Sequence, residues 1–151
     1  MKSILSKLAL TAGVAALATV AMAQPKPENF VKQRQSAFAL IGWYFSPMAP
    51  VARGEQPFNK ADAEARTARL VTLSSMPWEG FAPGTDKIGN TKAKPEIWSQ
   101  QAKFKAAGDK MQEEMAKLAA LARAGDEAGF KRQFGVVGGT CKACHDDFRN
   151  Q

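Results

Sequence analysis

The sequence predicts an all-α protein, folded as an antiparallel four-helix bundle. Three observations carry this expectation. Four long segments repeat apolar residues at helical spacing, no run alternates apolar and polar residues as a strand would, and mostly short connections join the segments.

The first segment is expected from about Glu28 to Ala52. Val31, Phe38, Phe45 and Ala52 recur at sevens with Ile41 and Met48 between them, which makes one face apolar. Pro47 and Pro50 should bend or thin its end, and Gly54 closes it. Asn59 is a good N-cap for a second segment, about Lys60 to Met76, with Ala63, Leu70 and Leu73 inward and Pro77 as its stop. Residues 77–94 form a long loop rich in Gly and Pro, a kind that often serves a site. Pro95 opens a third segment ending at Gly125. Ile97, Phe104, Met111 and Leu118 repeat there at sevens, with Gly108, Met115 and Ala122 interleaved. Asp126 caps a fourth, where Phe130, Phe134, Val137, Cys141, Cys144 and Phe148 step by four and three. Such stepping suits helices packed at about 20°. The Met and Phe stripes alone are core residues and imply no cofactor.

The 151 residues carry 21 Lys and Arg against 14 Asp and Glu, and 45% are hydrophobic, enough for one domain with a core. With two Cys and one His, a multi-His metal centre, a four-Cys zinc site and a disulfide-dense scaffold are excluded. Residues 1–23 read as a cleaved signal peptide. Lys2 and Lys7 precede an apolar stretch, Leu8 to Ala21, too short to span a bilayer, and Ala21-Met22-Ala23 is a small-residue cleavage site. The mature domain is then 24–151, and an uncleaved membrane anchor is the alternative. Beyond the signal, basic residues are scattered among Asp, Glu and Gln. That describes a solvated surface, so neither nucleic acid nor, after cleavage, a membrane is an expected partner.

The chemistry is concentrated in Cys141-Lys142-Ala143-Cys144-His145. On a helix the two thiols share one side, and His145 lies one turn from Cys141. Covalent haem c needs this arrangement: each thiol adds across one vinyl group while the adjacent imidazole reaches the iron. A thioredoxin-like pair wants a strand-helix context, a structural zinc site lacks a fourth ligand, and a simple disulfide leaves His145 unexplained. Gly135, Gly138 and Gly139 precede the motif on the same helix, at about 1 kcal/mol each relative to Ala. Close approach of backbone or porphyrin would justify that cost, and a frayed helix start is the other explanation.

Beyond this motif the chain resembles the cytochromes c′, the bacterial class II c-type cytochromes, over essentially all of the mature sequence. The resemblance rests on the motif's place near the C-terminus, on Arg34-Gln35-Ser36-Ala37-Phe38, on Pro77-Trp78-Glu79-Gly80-Phe81-Ala82-Pro83-Gly84-Thr85 and on Lys94-Pro95-Glu96-Ile97-Trp98. Class I cytochromes c carry the motif near the N-terminus with a Met ligand far downstream; here six residues follow His145 and none is Met.

The resemblance implies one haem c on the C-terminal helix, His145 as iron ligand, and Phe38 where low-spin relatives place a ligating Met. Phenylalanine has no lone pair to donate, so it implies a five-coordinate, high-spin iron. An apolar face disfavours anions and water and offers bound dioxygen no hydrogen bond, which leaves nitric oxide and carbon monoxide as ligands. The resemblance further implies that Arg34 and Gln35 contact the haem edge, where a guanidinium can pair with a propionate. It also implies that Trp78 and Phe81 pack on the haem, that Lys92 is a weaker propionate partner, and that Arg149 stands on the proximal side. Phe38 also reads as an ordinary core residue, and Arg149 as a favourable C-terminal charge.

Leu40, Trp43 and Tyr44 are expected to point away from the core stripe, which suits an interface, and the family commonly forms homodimers through its first two helices. Haem-loop packing of Trp43 or Tyr44 is the alternative. The expected function is a periplasmic, mono-haem gas-binding protein also capable of one-electron transfer, with a redox partner that the sequence leaves open. It is not an enzyme, because a peroxidase would need a distal acid-base group that Phe38 does not supply. The alternative is a low-spin, six-coordinate electron carrier with a Met sixth ligand, drawn from Met48, Met76, Met111 and Met115.

Overall fold

The computed structural model describes residues 25–151; the signal-peptide stretch and its cleavage site lie outside the described residues. Helix α1 (Pro27–Phe45) passes through a 3-10 turn (Ser46–Met48) into the short α2 (Ala49–Ala52). Pro47 and Pro50 sit in the first turns of these two pieces, where a missing N–H leaves no bond unmade. They thin the end of the first segment, as its sequence predicts. Helix α3 (Lys60–Ser74) starts under the Asn59 side chain, which accepts from the Asp62 N–H at 3.0 Å. The expected loop at 77 begins with one ordered 3-10 turn, Pro77–Gly80.

The third segment is not one helix but two, α4 (Glu96–Ser99) and α5 (Gln101–Ala124). They break at Gln100, whose φ of −122° and ψ of 46° lie outside the helical region. Tertiary contacts hold α4 aside: Ile97 is buried, and the Trp98 indole donates to the Ala82 carbonyl at 3.2 Å. Neither Gly nor Pro marks the break in the sequence. Gly125 ends α5 at φ 75°, and the Asp126 carboxylate accepts from the Gly129 N–H at 2.8 Å to start α6 (Glu127–Phe148).

Leu70, Met111, Met115, Leu118, Phe130 and Val137 form the buried centre, joined by Ile41 and Met48. Burying each large side chain contributes about 2 kcal/mol against the conformational entropy of ordering it. Gly108 lets the Trp78 ring lie directly on α5, because a Cβ there would stand 2.7–3.0 Å from three ring carbons.

Helix α1 packs on α3, α3 on α5, and α5 on α6. The ring closes between α1 and α6 at one end only, where α2 meets α6 and Phe45 stacks on Phe134 at 4.2 Å and 5°. Toward the start of α1 and the end of α6, each helix leans on residues 80–94 instead. A slot is left between the two helices there. No described helix is long and apolar enough to cross a membrane.

Candidate functional site

One wall of the slot carries the thiols. Cys141 and Cys144 are free and half-buried on one side of α6, and Cys141 packs against the core edge. Burial pushes both thiols up, Cys144 to about 11, which favours the protonated thiol over the thiolate. The His145 ring is largely exposed; what desolvation it has, and then the charge of Arg149, lower its pKa and favour the neutral imidazole. A neutral ring is the form that ligates a metal. Ion pairs brace the outer side of this turn, Lys142 with Asp146 at 2.5 Å and Lys103 with Asp147 at 3.0 Å.

A Cβ on Gly135, Gly138 or Gly139 would meet no protein atom within 4 Å, and α6 runs unbroken through all three. Neither close backbone approach nor a frayed start therefore accounts for them within this chain. Gly135 and Gly139 face solvent, whereas Gly138 lies on the thiol side; the open space beside it, the paired thiols and the adjoining imidazole fit a flat group bound against α6.

An aromatic cluster stands on the α1 side. Phe38 meets Trp78 edge-on at 6.2 Å and Phe81 at 6.4 Å. Trp78 and Phe81 both reach Phe104, which meets Phe148 of α6 at 5.2 Å. Trp78 is fixed by its indole N–H, which donates to the Ser74 carbonyl at 2.8 Å. Of the expected contact residues, Phe38, Trp78 and Phe81 are thus brought together. Phe104, Trp98 and Phe148 join them; the stepping of Phe104 and Phe148 had marked only core, and Trp98 had stood only in the stretch of likeness that opens the third segment. A cleft of about 330 Å³ beside the cluster, lined by Trp78, Phe81, Trp98 and Phe104, includes neither thiol nor His145.

Of the expected polar residues, Arg34 and Gln35 have partners in the loop, and Lys92 and Arg149 are exposed. Arg34 is 3% exposed and its two terminal nitrogens bond only to the loop. One donates to the Gly80 carbonyl at 2.6 Å and to Thr85 Oγ1 at 2.8 Å; the other donates to the Thr85 carbonyl at 2.8 Å and to Thr91 Oγ1 at 2.7 Å. Desolvation lowers its pKa. Gln35 donates to Asn90 at 3.2 Å, in the same loop. Lys92 is exposed, and its carbonyl accepts from Asn150. Arg149 is exposed one turn beyond His145. Thr85 and Thr91 complete the Arg34 site; Thr85 ends the stretch of family likeness that begins at Pro77, and Thr91 had no motif to reveal it.

Leu40 and Trp43 are exposed on α1, Trp43 at 72%. Tyr44 departs from the expectation: it packs against the core, with the Arg69 guanidinium 5.5 Å above its ring. Tyr44 lies three positions past buried Ile41, which turns its ring toward the same inward side.

A family model described as Cytochrome C' matches residues 29–149. A cytochrome c' of Alcaligenes xylosoxydans xylosoxydans is 44% identical over 126 residues, covering 83% of this chain and 97% of the relative. That of Rubrivivax gelatinosus is 44% identical over 126 residues, with 83% and 98% covered. The crystal structure of cytochrome c' from Rubrivivax gelatinosus superposes with a TM-score of 0.79 at 45% identity, covering 83% of this chain and 98% of that one. A nitric oxide complex of a mutant cytochrome c prime from Alcaligenes xylosoxidans superposes at 0.78 and 44% identity, covering 83% and 97%.

Proposed function

The chain belongs to the cytochrome c′ family of four-helix-bundle, mono-haem c-type cytochromes, and from that premise we propose that it is a periplasmic gas-binding protein. Cys141 and Cys144 hold the haem by two thioethers and His145 is the protein's ligand to its iron. The observation that carries this reading is the open slot between α1 and α6, with both thiols and uncrowded Gly138 on one wall and Phe38 on the other. When bound, the haem supplies a redox-active iron that takes neutral diatomic ligands.

The chain's residues set which ligands reach it. Phe38, clamped edge-on by Trp78 and Phe81, presents carbon where a sixth ligand or a hydrogen-bond donor would stand. Such a face leaves the iron five-coordinate and high-spin, excludes water and anions, and favours nitric oxide and carbon monoxide. The nitric oxide complex of the Alcaligenes relative supports the same ligand. Arg149, one turn past His145, stands on the proximal side. With its terminal nitrogens committed to the loop, Arg34 keeps only its Nε–H for a propionate, and exposed Gln35 and Lys92 are the freer partners.

One-electron transfer accompanies gas binding, and no acid-base group serves a catalytic cycle. Residues 1–23 direct export and are removed, leaving 24–151. Exposed Leu40 and Trp43 support a homodimer through α1 and α3. The test is the mass of the exported protein. We expect the mature chain beginning at Gln24 plus one haem, with the haem lost from the double variant Cys141→Ser, Cys144→Ser. A wild-type chain without covalent haem would overturn the reading.

A further inference from the structure

We propose that Arg34 is a positioning residue: through it, residues 80–94 act as a strap that sets the spacing of α1 and α6 across the slot. The proposal rests on the haem reading for what fills that slot. Where these two helices lack mutual packing, a chain of hydrogen bonds joins them instead. It starts at the Arg34 guanidinium on α1 and reaches the Thr91 hydroxyl, which also accepts from the Ala93 N–H at 3.2 Å. It ends in an antiparallel bridge between Ala93 and Arg149. There the Lys94 N–H donates to the Phe148 carbonyl at 3.0 Å and the Asn150 N–H to the Lys92 carbonyl at 2.8 Å. The Lys94 ammonium adds a bond to the Asp146 carbonyl at 2.8 Å.

The start of the strap is unusual electrostatically. Among the described residues no carboxylate pairs with Arg34, although it is buried. Its charge is met by neutral oxygens and by the faces of Phe81, at 4.8 Å, and Trp98, at 5.8 Å. A buried cation is tolerated only while its donors are satisfied. The loop supplies all four acceptors, so the loop and the buried charge hold each other in place. Surface stabilisation alone needs no such arrangement.

Its two ends fall beside the residues that flank the slot. Phe38 is one turn along α1 from Arg34, and Arg149 one turn beyond His145. Loosening the strap therefore changes the clearance between the Phe38 ring and the His145 turn, even though Arg34 touches neither.

The test uses the haem-bound protein with Thr91→Val, which removes the shared hydroxyl without changing charge, and Arg34→Lys, whose single nitrogen cannot serve four acceptors. Two quantities are read. One is hydrogen exchange of the Lys94 and Asn150 amides against Leu118 in α5, and the other is the association rate of carbon monoxide with the ferrous form. We expect exchange at Lys94 and Asn150 to rise about tenfold or more in both variants, with Leu118 unchanged. The association rate should shift with it, and Thr91→Ser should restore both. Unchanged exchange at Lys94 and Asn150 would overturn the strap, and faster exchange with an unaltered association rate would overturn its role in setting the slot. Failure of the haem reading would show separately, as a wild-type protein without covalent haem. If Arg34→Lys fails to fold, the two Thr91 variants decide alone.

Discussion

Replacing Phe38 by Ala isolates the step that the slot controls. The ring is held by two edge-to-face partners, Trp78 at 6.2 Å and 89° and Phe81 at 6.4 Å and 67°. Such aromatic pairs are worth about 0.5–1.5 kcal/mol each beyond their buried area. A ligand that reaches the iron by displacing the ring must first break both, about 1–3 kcal/mol of barrier, or roughly 5- to 150-fold in rate. Phe38→Ala removes that barrier without touching Cys141, Cys144 or His145. Flash photolysis of the ferrous carbon monoxide complex should therefore show association faster by a factor in that range. Because Phe38 is only half-buried, the variant should keep its fold, verified by circular dichroism. An association rate within about twofold of wild type, in a folded protein with covalent haem, would refute the assignment of Phe38 to the distal face.

Three other predictions concern the frame around the slot. Lys110, Gln133 and Lys117 hold the Glu114 carboxyl well below its usual 4.5, at about 2, in the crease between α5 and α6. A depressed carboxyl stabilises the fold above its unfolded pKa and loses that contribution as pH falls. The melting temperature should thus drop between pH 4.5 and about 2, and drop less steeply in Glu114→Gln. Gly108→Ala places a methyl against the Trp78 ring and should cost about 1–3 kcal/mol, read as a lowered denaturation midpoint. Trp43→Lys puts a charge in the exposed α1 patch and should yield monomers by sedimentation equilibrium, whereas persistence of the wild-type association state would exclude that patch as the dimer contact.

The repeating patterns that name the helices also name most of the buried centre. Ile41, Leu70, Met111, Leu118, Phe130 and Val137 are inside because heptad-like spacing places them on one face, and spacing is a local property. The capping residues Asn59 and Asp126 and the terminating Gly125 are equally local, and each acts where the sequence puts it. What escaped was set by partners far along the chain. Gln100 breaks a helix because Ile97 and Trp98 are pulled toward the loop, and no residue near position 100 records that pull.

The same division runs through the site. Cys141, Cys144 and His145 announce themselves by spacing, and Phe38, Trp78 and Phe81 came through family likeness; the structure brings those three rings together. Arg34 was expected to reach toward a haem edge. Its surroundings within the chain depend on Thr85 and Thr91, more than fifty residues away, and neither residue type signals by itself that it will meet an arginine. Long-range hydrogen bonds between ordinary side chains become visible only once the loop has a path.

An open sixth position beneath Phe38 sets everything proposed for the iron. Electron paramagnetic resonance of the ferric protein, paired with optical spectra of the ferrous protein before and after nitric oxide or carbon monoxide, tests it most directly. High-spin signals from the ferric iron are expected, with optical bands that shift with either gas. A low-spin spectrum indifferent to both gases would contradict it and would identify a sixth ligand from the chain, with a methionine the first to replace.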